Sequence, residues 1–317
     1  MKGTQQPGTQ QPGTQQSGTQ LAETPRALEK RAYGLVLAGA FFISFAALFV
    51  QGSAMDSTVI AFYRLVFGGG ALLLVAILRR ERIMPSPAML KMTLLAAFFF
   101  SGDLAVWHLC IVYLGPGIAT ILGNFQVFCL AIVGVAFLGE KLSFRQITAM
   151  PLAIAGLVML LEVNPLALPP GVAKGVLFGL ATALFYSGYT LSVRKSQMGA
   201  EHLPAIANMA VISILSAVML GAMSLAQGAS FVIPDMKSAL YLAGLGIFCQ
   251  GAGWVLLSMG LPHLPPSRAG LIMLTQPALA FIWDILLCGK ETGLIGLLGA
   301  VTAIFAIWLG VSAPRKK

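Results

Sequence analysis

The sequence predicts an all-α integral membrane protein with ten transmembrane helices, arranged as two inverted repeats of five helices each. Three observations lead to this prediction. Hydrophobic residues make up 57% of the 317 residues and charged residues only 10%, whereas a soluble domain is about 45–50% apolar and about 25% charged. The apolar residues fall into ten long runs, and parts of the first half recur in the second. A chain this apolar needs lipid around it, because it has too few polar side chains to cover itself.

The first 32 residues differ in composition from the rest. Residues 3–20 repeat a five-residue unit rich in Gly, Thr, Gln and Pro, with no apolar side chain to bury. We therefore expect residues 1–32 to be a disordered tail. The tail lacks the apolar stretch of a secretory signal peptide. A short basic tail, residues 313–317, is predicted at the other end of the chain.

Charged, proline-rich and glycine-rich breaks divide the remaining chain into ten apolar segments, each about long enough to cross ~30 Å of hydrocarbon. The first five segments form a predicted repeat over residues 33–162, and the second five form a predicted repeat over residues 171–312. The predicted spans are 33–53, 57–78, 90–112, 117–138, 144–162, 171–193, 202–226, 237–259, 267–288 and 293–312.

The distribution of basic residues supports this number of spans. With the N-terminus in the cytoplasm, 16 of the 20 Lys and Arg residues fall in cytoplasmic segments, Lys174, Lys237 and Lys290 fall outside, and Arg64 lies within a span. An error in the number of spans would move every later loop to the other side and scramble the split. We therefore expect a multi-pass protein of a cell membrane with both termini in the cytoplasm. The net charge of +9 does not indicate nucleic acid, because the basic residues do not line one amphipathic face.

The two halves are related by an internal repeat. The stretch "GDLAVWHL" at 102–109 aligns with "CQGAGWVL" at 249–256, which matches Asp103 with Gln250 and Trp107 with Trp254. The stretches 119–141 and 269–291 align at an offset of 150 residues, and weaker matches precede both pairs. Because five is odd, the second half enters the membrane in the opposite sense, as in the inverted repeats of many transporter folds.

Two similar turns end the fourth and ninth helices. They read Gly139-Glu140-Lys141 and Gly289-Lys290-Glu291, with the two charges in opposite order. A glycine favours the left-handed conformation that ends a helix, and the charged residues stop the apolar run at the membrane surface. The turn is used twice because the five-helix unit is used twice.

These motifs resemble the EamA-type transporters of the drug/metabolite transporter superfamily, over nearly all of residues 33–312. The resemblance depends on "AFYRL" at 61–65, the Trp-bearing third helix, "FLGEKLSFRQ" at 137–146 with the Gly156-containing helix after it, and "TQPALAFIWDILLCGKET" at 275–292. Val127, at the position that matches Pro277, departs from the pattern, as does the Lys-Glu order of the second turn. The resemblance implies an exporter or facilitator for amino acids, related metabolites or drug-like molecules, usually in a bacterial inner membrane.

Ionisable side chains within a membrane are costly and normally face a cavity or a partner. Arg64 either contacts a substrate carboxylate in a central cavity, or reaches the outer interface or pairs with Asp56. Asp103 either binds a substrate amine or carries a coupled proton, or it forms a hydrogen bond with a neighbour such as Asn124. His108 is a second candidate for proton coupling, or it is a satisfied polar group near a helix end.

The other polar and aromatic side chains within the spans are either walls of a substrate cavity or contacts between helices. For the two matched tryptophans the alternative to a cavity wall is an anchor at the membrane interface, where Trp residues are common. The candidates for the substrate cavity are Arg64, Asp103, Trp107, Asn124, Gln126, Tyr186, Tyr189, Asn208, Gln250, Trp254 and Gln276.

The sequence favours a secondary transporter that works by alternating access. It has no glycine-rich nucleotide-binding loop, and its four Cys and three His are too scattered for a metal site, so we expect neither cofactor nor metal. The alternatives are a membrane-embedded enzyme and a non-transporting sensor or scaffold. The expected partners are a small-molecule substrate and the lipid bilayer, without nucleic acid. Glycine runs allow close packing within one chain or in a homodimer.

Overall fold

The structure is a computed structural model that describes residues 25–53, 55–160, 171–198, 201–289 and 291–313, and in this part of the chain it is helical without strands. Nine of the described helices are long and apolar enough to cross a membrane, and a tenth is shorter. We number the ten helices α1 (Arg26–Gln51), α2 (Ser57–Leu78), α3 (Met89–Leu114), α4 (Ile118–Leu138), α5 (Phe144–Met159), α6 (Val172–Ser196), α7 (Ala205–Ala226), α8 (Met236–His263), α9 (Pro266–Cys288) and α10 (Leu294–Val311).

The first helix begins earlier than the sequence predicts. Its two segments are Pro25–Ser44 and Ala46–Gln51, so residues 25–32, which we assigned to the disordered tail, are helical. The physical reason is tertiary packing: Ala32 is buried and its carbonyl lies against Gly260 of α8. The predicted tail before Pro25 and the last four residues lie outside the described part of the chain.

The chain turns back between α3 and α4. Helical hydrogen bonding continues through Pro87–Gly123, but a straight helix would separate Cys110 and Leu122 by about 18 Å. Both side chains instead lie against Gly179 of α6. Leu114 of α3 lies near Gly175 at the beginning of α6. The two helices therefore form a hairpin whose arms both pack against α6, as the predicted spans 90–112 and 117–138 require.

Helix pairing follows a pseudo-twofold relation between the halves. In this relation α1 corresponds to α6, and α3 corresponds to α8. α1 packs against α8, and in the same way α6 packs against α3. α2 contacts α8, and its counterpart α7 contacts α3. Three helices of the first half also contact their own counterparts in the second half: α2 contacts α7, α4 contacts α9, and α5 contacts α10. This pairing is what two repeats of opposite orientation give, and it confirms the predicted architecture.

Local irregularities also repeat. α4 is interrupted at Asn124 and Phe125 before Gln126–Leu138, and α9 is interrupted at Leu274 before Thr275–Cys288. Gly139 and Gly289 end the two helices with φ of 67° and 65°, in the left-handed region. The predicted glycine stops are therefore confirmed, and each half bends at the same place.

α8 departs from the regular helix predicted over 237–259. It consists of Met236–Gly244, a π-helical segment Leu245–Gly253, Trp254–Gly260 and a short 3₁₀ turn Leu261–His263. A Cβ added at Gly68 of α2 would lie 2.6 Å from the carbonyl oxygen of Gly246. The wide π turn thus lies where the backbones of α2 and α8 approach each other closely, a contact between the two halves.

The first and the last described residues lie at the same end of the bundle, which we call the termini end. Arg268, at the start of α9, is only 6% exposed. Its Nη1 donates to Glu29 Oε1 of α1 at 3.0 Å, and its Nη2 donates to the Ala313 carbonyl at 2.9 Å. One guanidinium therefore joins the beginning of the first helix, the beginning of the ninth and the residues after the tenth.

Candidate functional site

Arg64 lies in the middle of the bundle and links the two halves. Its Nε donates to Gln250 Oε1 in the π segment of α8 at 3.2 Å, and Gln250 Nε2 donates to Ser213 Oγ of α7 at 3.0 Å. Asp56, the alternative partner, instead accepts from the Thr58 backbone N–H at the start of α2. Arg64 is thus directed into the bundle, towards groups supplied by the second repeat.

Four aromatic rings pack together beside this guanidinium, which lies over one of them, and form what we call the aromatic box. Arg64 Cζ lies 5.7 Å from the centre of the Phe100 ring, and Phe100 stacks on Tyr189 at 4.2 Å with an interplanar angle of 9°. Trp254 packs against Tyr189 at 4.4 Å and meets Tyr186 edge to face at 6.0 Å. The box takes residues from α3, α6 and α8, so both repeats build it.

Asp103 brings an opposite charge to the same region. It lies on α3 three residues after Phe100, it is buried, and Arg64 is the charged group that acts on it electrostatically. Its Oδ1 has no hydrogen-bond partner within the described residues. A buried carboxylate oxygen without a partner is unfavourable, so the site as it stands leaves hydrogen-bonding capacity unused.

Other polar atoms around the box are also without partners in the described part of the chain. They are the Tyr189 hydroxyl, the Trp254 Nε1, the Gln276 Nε2 and both side-chain polar atoms of Gln126. The Tyr186 hydroxyl makes a long contact of 3.5 Å with Gln276 Oε1. Gln126 and Gln276 occupy equivalent positions, just after the breaks in α4 and α9. Unpaired buried donors and acceptors of this kind are the chemistry expected of a polar ligand site.

Four of the predicted site residues make other contacts. Asn208 donates to Ser196 Oγ at 2.8 Å and so connects α6 with α7. Asn124 donates to the Thr120 carbonyl of its own helix at 2.8 Å. Trp107 packs beside His108, at 5.5 Å between ring centres, and against a cluster that includes Cys110.

Sequence reasoning missed Phe100 and Ser213. Phe100 is one of 19 phenylalanines, and nothing in its local pattern separates it from those that face lipid. The available signal was its spacing, because residues three apart share a helix face and Phe100 precedes Asp103 by three. Ser213 carried no comparable signal, since its contact with Gln250 joins residues 37 positions apart.

A polar cavity of about 390 Å³ opens at the termini end. It lies between the α4–α5 turn, the last turn of α6 and the α8–α9 connection, and we call it the vestibule. Arg194 lies in its wall five residues after Tyr189, which is about 7.5 Å along α6. The vestibule therefore lies within about two turns of the aromatic box, measured along α6. Its polar lining residues include Glu140, Lys141, Gln146, Arg194, His263, Ser267 and Arg268.

The comparison with protein families now bears on this arrangement. The family model described as the EamA-like transporter family matches residues 30–162 and again residues 173–312. The chain belongs to the EamA-like transporter family. The resemblance inferred from the sequence motifs is confirmed, and each match covers one of the two five-helix repeats.

Relatives of this EamA-like chain extend over nearly its whole length. The uncharacterized transporter YwfM of Bacillus subtilis (strain 168) is 26% identical over 288 residues, which cover 89% of this chain and 94% of that protein. The uncharacterized protein PA1977 of Pseudomonas aeruginosa is 27% identical over 285 residues, covering 88% and 94%. A solved crystal structure aligns with a TM-score of 0.77 at 15% identity over 88% of this chain and 96% of that one, a likeness that concerns the fold alone.

Proposed function

We propose that this EamA-like chain is a secondary transporter that exports amino acids or related small metabolites and drug-like molecules by alternating access. The observation that carries the proposal is a basic and an acidic side chain, half-buried Arg64 and buried Asp103, beside an aromatic box that both repeats build. Buried charges need partners. A substrate with a carboxylate and an amine supplies both, and the aromatic faces suit an apolar or planar side chain.

The position of the box supports alternating access. In inverted-repeat transporters the substrate site lies at the repeat interface, and one half moves against the other around it. Here the Arg64–Gln250 hydrogen bond and the Phe100–Trp254 contact both cross from one half to the other. All residues of the box come from one chain, so a single copy suffices as the transport unit, and a homodimer is compatible with it.

Charge and the vestibule support export as the direction of transport. By the positive-inside rule the termini end faces the cytoplasm, and the two named relatives are bacterial proteins, so we place the chain in a bacterial inner membrane. In this orientation the vestibule opens to the cytoplasm, which favours loading from inside and export.

Asp103 is the better candidate for proton coupling because it borders the box, whereas His108 lies beside Trp107.

Flux into proteoliposomes tests this proposal. Purified protein is reconstituted and assayed with a panel of labelled amino acids and nucleosides, under two opposite pH gradients and with empty liposomes as the control. We expect saturable, protein-dependent flux of at least one zwitterionic compound. Absence of flux for the whole panel, from protein shown to be folded, would leave a sensor or scaffold as the better explanation.

A further inference from the structure

The vestibule contains a carboxylate that makes no hydrogen bond to the described residues. The Glu140 side chain folds back over Gly134, where an added Cβ would lie 2.5 Å from Glu140 Cδ. Both of its carboxylate oxygens are covered, and neither has a hydrogen-bond partner within the described residues. Such a carboxylate needs a positive group close by. The aromatic box does not use it, because Glu140 lies in the α4–α5 turn at the termini end.

The other walls of the vestibule carry unused donors. Arg194 Nε donates to the Leu261 carbonyl at 3.1 Å, which fixes the guanidinium at the cavity while its terminal nitrogens make no hydrogen bond to described residues. Ser267 is only 1% exposed, and its hydroxyl has no partner in the described part of the chain. It lies in the first turn of the helix Pro266–Met273, where backbone N–H groups favour a negative charge.

Arg268 is not available for a ligand, although it also lines the vestibule, because Glu29, Tyr33 and the Ala313 carbonyl occupy its guanidinium. The groups open to a ligand therefore include one acceptor, at Glu140, and two donors, at Arg194 and Ser267. Glu140 acts electrostatically on Arg194, which places the two opposite charges on walls of the same cavity without a bond between them.

We infer that the vestibule is a second binding site, for a small molecule that bears both an ammonium and a carboxylate group. The ammonium binds Glu140, and the carboxylate binds Arg194 and the Ser267 hydroxyl at the start of α9. A volume of about 390 Å³ accommodates a molecule of amino-acid size, and Leu138 and Leu264 supply apolar wall for its side chain. The inference rests on the proposed function in one respect: the occupant is the transported molecule on its way to the aromatic box.

Three probes that share the leucine side chain test the charge requirement. Binding of leucine, leucinamide and N-acetylleucine is measured by equilibrium dialysis with the full chain in lipid nanodiscs. The chain carries Arg64→Gln, which weakens the aromatic box. Leucine carries both charges, leucinamide lacks the carboxylate and N-acetylleucine lacks the ammonium. We expect leucine to bind at least tenfold more tightly than either analogue, and equal binding of the three would overturn the inference.

Variants locate the binding in the vestibule. Glu140→Gln should weaken leucine binding at least tenfold, and Glu81→Gln should not. Glu81 is the matched control because it is a half-buried carboxylate at the same end, with one unpartnered oxygen, outside the vestibule. If Glu140→Gln fails to fold, Ser267→Ala is compared with Ser224→Ala, a buried unpartnered serine elsewhere. Equal effects within either pair would overturn the inference.

Flux separates this inference from the proposed function. Leucine flux that is unaffected by Glu140→Gln, together with unchanged binding, leaves the transporter proposal standing and removes the vestibule site. If vestibule binding follows the expected pattern but the protein transports none of the panel, the vestibule site stands and the transporter proposal is removed.

Discussion

Arg64 brings a positive charge into the middle of the bundle without a salt bridge to a described residue. Its contacts are one hydrogen bond to Gln250 and the face of Phe100, which together replace only part of its hydration. A substrate carboxylate would complete its coordination, because a guanidinium presents five N–H donors in a fixed plane.

Replacing Arg64 by Gln should weaken transport of carboxylate-bearing substrates. A hydrogen bond to a charged group contributes about 1.5–3 kcal/mol, so we expect half-saturation to rise by roughly tenfold to a hundredfold. The measurement is the concentration dependence of flux in proteoliposomes. Arg79→Gln is the matched control, because Arg79 is exposed at the end of the same helix. Equal effects of the two substitutions would remove Arg64 from the site.

Asp103→Asn tests proton coupling at the same scale. The amide has the shape of the carboxylate but cannot release a proton. We expect flux driven by a pH gradient to fall to the level of uncoupled exchange, while exchange of labelled for unlabelled substrate continues. The two assays are run on the same proteoliposomes. Unchanged gradient-driven flux would mean that Asp103 carries no coupled proton.

At the scale of the helix, glycines decide how closely the repeats approach. A Cβ added at Gly156 of α5 would lie 2.5 Å from the backbone nitrogen of Ala303 in α10, whereas nothing lies within 4 Å of the corresponding position at Gly70 of α2. Backbone cannot move aside as a flexible side chain can. The contact between α5 and α10 therefore depends on Gly156 remaining a glycine.

Gly156→Ala should destabilise the bundle. Overpacking costs about 1–3 kcal/mol, which exceeds the gain of about 1 kcal/mol in helix propensity. Gly70→Ala should leave stability unchanged or raise it slightly, since only the propensity gain applies. Thermal unfolding of both variants in the same detergent measures the difference. A midpoint for Gly156→Ala at or above that of Gly70→Ala would contradict the described contact.

At the scale of the whole molecule, the second repeat crosses the membrane in the opposite sense to the first. The pairing of α1 with α8 and of α3 with α6 follows from this relation, and so does the position of the aromatic box at the interface. Arg268 adds a contact with no counterpart at the other end, since residue 118, the equivalent position, is isoleucine.

Sided labelling of α6 tests the topology. Lys174 and Lys195 are both exposed near opposite ends of this helix, about 30 Å apart. Single cysteines are placed at these positions in a chain whose four native cysteines are alanine. An impermeant maleimide should label position 174 on intact cells, and position 195 only after permeabilisation. Labelling of both from one face would be incompatible with a membrane-spanning α6.

The sequence by itself determined the class of protein, the number of helices and their repeat. These properties depend on composition and on the length and spacing of apolar runs, and they persist whatever each side chain touches. The glycine stops at Gly139 and Gly289 belong to the same category, because a left-handed helix end is a local requirement. The motifs at 61–65, 137–146 and 275–292, together with the repeat, also indicated the family.

Only the tertiary structure decided which polar residues meet. Arg64, Gln250 and Trp254 come together through the π turn of α8, a departure from regular helix that no pattern in residues 245–253 predicted. Asn208 and Asn124, equally polar in the sequence, were directed into contacts between and within helices. A helix pattern gives the face of a residue, but its partner depends on the rotation and depth of the neighbouring helix, which the packing of the whole bundle sets.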